Sequence, residues 1–144
     1  MQFALEEART AFNKGEIPVG CVIANESDVI ARAHNLCEEM RDPTAHAEIL
    51  AIRLCAKALG KRRINGLTIY TTLEPCPMCA GAIVLSGLSR LIFAADDKSY
   101  GCCGSIYRIT EDPAFPGFCR ADGGLLKEES QALLDEFFKK IRRD

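Results

Sequence analysis

The sequence contains no apolar run long enough to cross a bilayer, no surplus of positive charge and only two histidines. The first absence excludes a helical membrane protein. Eighteen Lys and Arg against twenty Asp and Glu leave a formal net charge of −2. Nothing global therefore attracts nucleic acid, and any such binding needs a local basic patch. The stretch from Met1 to Lys14 lacks the basic start, apolar centre and small-residue cleavage site of a secretory signal. A cytoplasmic setting without membrane contact is expected, where thiols stay reduced. The eight cysteines are accordingly read as metal ligands or buried residues, not as four disulfides. Repeats, low-complexity tracts and linkers are also missing, and 144 residues fit a single domain, residues 1–144.

What is present alternates between helical and strand-like patterns. Phe3, Leu5, Ala8 and Phe12 recur at helical spacing, with Gly15 as punctuation. Val19–Ala24 and Val29–His34 read as a hairpin around Asn25–Asp28. A helix is expected from about Thr44 to Leu59, with Asp42 as N-cap, Pro43 in its first turn and Gly60 as its stop. Leu67–Thr71 and Arg90–Ala94 are further strands, separated by a helix that starts at Pro75 and ends at Gly87. Residues 96–124 read as loop with a short element around 105–109, and an amphipathic helix runs from Leu125 to Arg143. Helices alternating with strands predict an α/β fold, a sheet covered by helices on both faces.

Two helix starts carry the chemistry. One holds His46-Ala47-Glu48 and the other Pro75-Cys76-Pro77-Met78-Cys79. Cysteines three apart share one helix face, so both thiolates can chelate one ion. A helix N-terminus favours negative charge and assists. His46 supplies a third ligand, and two thiolates with one imidazole suit zinc, Zn2+, one per chain. Three protein ligands leave a fourth position open, the mark of a catalytic site; there a bound water becomes hydroxide near neutral pH. Glu48 lies about 200° around the helix from His46 and is the candidate general acid and base. H-x-E with P-C-x-x-C is the known signature of zinc nucleobase deaminases. Two other readings of the cysteine pair stand beside this one. It could be a thioredoxin-like redox pair, which leaves His46 and Glu48 idle, or half of a structural zinc site. The latter needs a fourth ligand from His34 or the six other cysteines.

Further residues divide between plain and functional readings. Cys21, Cys37 and Cys55 read as small buried residues, Cys102 and Cys103 as loop or core, and Cys119 has no assignable role. Asn35 is either a turn former or a substrate hydrogen-bonder at the mouth of the site. Lys139, Lys140, Arg142 and Arg143 either complement a helix dipole or contact phosphate.

Beyond the zinc motif, Glu16–Gly20, Asp42–Ile49, Thr71–Ala82 and the Glu129–Phe138 pattern resemble the tRNA-specific adenosine deaminase family of the cytidine deaminase-like superfamily. The resemblance implies a three-layer α/β/α cytidine deaminase-like fold with a mixed five-stranded sheet, and a homodimer. It implies hydrolysis of wobble adenosine in tRNA to inosine with release of ammonia, Asn35 contacting the flipped nucleoside and the backbone around Ala47 touching the base. Pro116–Arg120 stands where family members often carry Asn-His, and residues 97–105 keep only the Lys and Gly-Ser frame. With the mildly acidic balance, these departures keep a free nucleobase or nucleoside open as an alternative substrate.

Overall fold

The computed structural model describes residues 1–144. Helix α1 (Gln2–Asn13) precedes strands β1 (Gly20–Ala24) and β2 (Val29–His34), then a short helix α2 (Cys37–Met40) and helix α3 (Ala47–Leu59). Strand β3 (Thr68–Leu73), helix α4 (Pro77–Ser86), strand β4 (Arg90–Ala95), a 3-10 turn (Ile109–Glu111), strand β5 (Arg120–Gly123) and helix α5 (Lys127–Arg143) complete the chain. The five strands form one mixed sheet in the order β2-β1-β3-β4-β5. Strand β1 is antiparallel to β2 and β3, whereas β3, β4 and β5 run parallel. Helices α1 and α5 pack on one face; α3 and α4, which touch each other, form the other layer. No helix is long and apolar enough to cross a membrane.

The expected three-layer arrangement is present, but α2 is an unexpected element, α4 and α5 each start two residues later than expected, and three further differences have physical causes. Asp42 does not cap a helix. Its carboxylate accepts the N–H and hydroxyl of Thr44 at 2.8 and 2.7 Å in a turn, and α3 begins later, with His46 at its N-cap position. The second difference lies in residues 96–119, which carry the chain back so that β5 can lie parallel beside β4; a parallel pair requires such a crossover. The third is the buried face of α1, formed by Ala4, Leu5, Ala8 and Ala11, with Phe3 half exposed. Small residues are needed there because α1 lies directly on Gly20.

The register determines where function can reside. Gly20 pairs with His34, Cys21 with Thr71 and Leu73 with Ala95. The start of β1 and the ends of β2, β3 and β4 therefore lie along one edge of the sheet. Ligands in open α/β sheets bind outside the carboxyl ends of the parallel strands. Helix α5 is fastened over this end where the Ser130 hydroxyl donates to the Thr72 carbonyl.

A Cβ on Gly20 would lie 1.9 Å from the Ala4 carbonyl oxygen and 2.5 Å from the Ala8 nitrogen. Both are helix backbone and cannot give way. Gly20→Ala is expected to cost about 3 kcal/mol, the upper end for overpacking, measured by urea unfolding against wild type.

Candidate active site

The sheet edge brings the two helix starts together. His46 and Cys76 occupy the N-cap positions of α3 and α4, both with extended backbone, and Pro77 sits at the first helical position after Cys76. His46 Nδ1 lies 3.6 Å from Cys76 Sγ and 3.4 Å from Cys79 Sγ, and the three donor atoms fall within 4.8 Å of one another. Zinc–sulfur and zinc–nitrogen bonds of about 2.3 and 2.0–2.1 Å at tetrahedral angles would place sulfur and nitrogen about 3.6 Å apart. The donor set fits zinc in chemistry and in spacing. No fourth histidine, cysteine or carboxylate joins it, which disfavours a closed structural site. His34 is occupied elsewhere, with its Nδ1 2.7 Å from Glu7 on α1. All eight cysteines are free.

The electrostatics favour a cation. The Cys79 thiol hydrogen-bonds the Cys76 sulfur, which holds Cys76 down to about 4, with His46 adding to the effect. The same shared proton pushes Cys79 up, and burial pushes it further. The hydrogen bond with Cys76 raises His46.

Glu48 is buried on the first turn of α3. Its Oε2 lies 3.5 Å from the Cys79 sulfur, and its Oε1 accepts from the Thr71 hydroxyl at 3.3 Å. Burial raises its pKa, which suits a group that must both take and return protons. Asn35 follows β2 and bridges two segments. Its Oδ1 accepts the Ala47 N–H at 2.8 Å, and its Nδ2 donates to the Ile17 carbonyl at 3.2 Å. Ala47 is fully buried.

A cleft of about 990 Å³ opens above these groups. Asn35, His46, Glu48 and Cys76 form part of its lining, and Phe137, Phe138 and Ile141 of α5 form an apolar wall. Glu16, Glu38, Glu74 and Asp97 also face it, and no Lys or Arg does. The spacing arguments identified neither Glu16 nor Glu74, although both stand in the segments that carry the family resemblance. Of the cysteines expected to be buried, Cys21 and Cys55 are core residues but Cys37 lines the cleft; Cys102, Cys103 and Cys119 also belong to the core.

Residues 1–95 match the cytidine and deoxycytidylate deaminase zinc-binding region. With the open His-Cys-Cys donor set, this defines the protein as a zinc-binding deaminase. The chain is 44% identical over its full length to the tRNA-specific adenosine deaminase of Aquifex aeolicus, covering 95% of that protein. It superposes with a TM-score of 0.89 and 41% identity on a structure solved in studies of A-to-I editing by tRNA:A34 deaminases, covering 93% of this chain and 97% of that one. The guanine deaminase of Nitrosomonas europaea is more distant, at 26% identity and a TM-score of 0.81, over 94% of this chain and 81% of the other. The chain belongs to the tRNA-specific adenosine deaminases within the cytidine and deoxycytidylate deaminase family.

His46→Ala and Cys79→Ala are expected to abolish stoichiometric zinc, measured by elemental analysis of the purified proteins. Loss of one of three ligands leaves only two protein donors.

Proposed function

We propose that this protein converts adenosine at the wobble position of tRNA to inosine and releases ammonia. The observation that carries this is the buried Glu48 carboxylate beside a three-donor zinc set on the floor of an open cleft. His46, Cys76 and Cys79 would hold the metal. When bound, zinc supplies the Lewis acidity that makes water nucleophilic at neutral pH.

Glu48 handles the protons. As the water oxygen bonds to C6 of adenine, Glu48 takes its proton and delivers it to N1. Glu48 then moves the second proton from the new C6 hydroxyl to the amine. The C6–N bond breaks, ammonia departs and the C6 carbonyl of inosine remains. Thr71 fixes the carboxylate through its hydroxyl. Asn35 has spent one N–H and one lone pair on Ile17 and Ala47, so its amide retains a donor and an acceptor for the nucleoside. Ala47 is fully buried outside the cleft lining, so its backbone acts by holding Asn35 in place.

The cations that could meet phosphate stand at the rim. Lys98 and Lys127 line an adjoining hollow of about 640 Å³ that shares Ile17, Leu73, Asp97, Tyr100 and Phe138 with the cleft. Lys139, Lys140, Arg142 and Arg143 lie in the last turns of α5, where Lys140 Nζ sits 5.6 Å from the centre of the Phe12 ring of α1. We also propose a homodimer. Leu85 on α4, Tyr107 and Phe118 are each more than half exposed. Gly117 sits against Val84, where a Cβ would come within 2.7 Å of the Val84 side chain. That contact brings the Phe118 segment beside α4.

Zinc-loaded wild type is expected to form inosine in tRNA carrying wobble adenosine, detected by nucleoside mass spectrometry. Turnover only of free guanine or adenosine would overturn this reading. Glu48→Gln should keep its zinc while kcat falls by about 10²–10⁴, the scale of general acid–base catalysis. Leu85→Glu is expected to shift the protein from dimer to monomer in light scattering after size exclusion; a wild-type monomer would sink the dimer proposal.

A further inference from the structure

Glu74 is almost fully buried, yet proton transfer makes no use of it. Its carboxylate is surrounded by donors. The Asp97 N–H reaches one oxygen at 3.1 Å, together with the Ser105 hydroxyl. The Cys103 and Ser105 N–H groups reach the other at 3.1 and 2.9 Å. The backbone on either side is tied to the same region: the Glu74 N–H donates to the Ala95 carbonyl at 2.8 Å, and the Cys102 N–H donates to the Pro75 carbonyl at 2.9 Å. Gly101 permits the close fit. A Cβ there would lie 2.4 Å from Glu74 Cδ and 2.3 Å from the Asp97 carbonyl oxygen.

These contacts join the turn that delivers Cys76 to a loop that forms part of the cleft wall, since Asp97 and Tyr100 both line the cleft. Tyr100 is two-thirds exposed, and residues 97–101 bond mainly among themselves, the Asp97 carboxylate accepting the Ser99 and Tyr100 N–H groups and its carbonyl the Gly101 N–H, whereas Cys102 and Cys103 are held in the core. We infer that Glu74 is a positioning residue for substrate binding: its carboxylate latches residues 97–105 onto the strand-to-helix turn and so sets the cleft wall formed by Asp97 and Tyr100. Only a group that accepts on both oxygens satisfies this set. An amide in its place turns an NH2 toward at least one backbone N–H or the Ser105 hydroxyl, leaving buried donors unpaired.

The wall contacts substrate away from the reacting carbon, so its loss weakens ground-state and transition-state binding together. Such a change appears in KM and spares kcat. The inference rests on the tRNA deaminase reading, and the experiment separates the two. Wild-type turnover of tRNA is measured first; if a free base or nucleoside is turned over instead, that reading fails and the same comparison is made with that substrate. Zinc-loaded Glu74→Gln is expected to retain its metal, raise KM about tenfold and hold kcat within about threefold. Amide hydrogen exchange without substrate should accelerate at residues 97–105. Ser105→Ala, which removes one hydroxyl, should shift both readouts in the same direction by less, and it serves as the test if Glu74→Gln does not fold. Unchanged exchange in the loop overturns the latch. Faster exchange with unchanged KM, or a lower melting temperature alone, overturns the role in binding.

Discussion

His46, Cys76 and Cys79 can converge only if α3 and α4 begin beside each other at the same edge of the sheet. That requirement shapes the surrounding structure. Strand β3 must end where β1 begins, so that the turn from Leu73 to Cys76 is delivered next to the segment after β2. The extended backbone at both N-cap residues turns the ligands toward each other. Asn35 then satisfies the Ala47 N–H, one of the donors a helix start leaves without a partner. The remaining partial positive charge at both helix starts favours thiolate at the site. One arrangement of backbone thus provides position, hydrogen bonding and electrostatic bias.

Much of this was readable from local sequence. Chelate spacing and the glycines ending α3 and α4 act over a few residues, and each is found where expected, although α4 starts at Pro77, two residues after the expected Pro75. The harder features depend on distant partners. Asp42 offers the same side-chain oxygen to a turn or to a helix, and its neighbours do not indicate which. The face of α1 follows from its closest approach to Gly20, so alanines outrank phenylalanines there. Strand β5 is short and only partly buried, and it exists as a strand because β4 offers it a parallel edge.

The carboxylates at the site show the same division. Glu48 could be identified because its partners belong to a known spacing. Glu16 and Glu74 could not be placed by spacing, because each is surrounded by backbone N–H groups from other segments. Glu16 accepts the N–H groups of Glu38 and Glu39 at 3.1 and 2.8 Å and so fixes α2 at the cleft. Buried carboxylates at this edge of the sheet thus do two kinds of work: one moves protons, and the others hold the walls in place.

The carboxylate-lined cleft also gives substrate insertion a direction. Five acidic residues line it without a single Lys or Arg, and the Cys76 and Cys79 sulfurs would offset the charge of a bound zinc ion. A phosphate carried to that depth would meet like charge with reduced solvent screening. A purine carries no such charge and meets apolar walls from Phe137, Phe138 and Ile141. A neutral ring is therefore better matched to the floor of this cleft than an anionic group is.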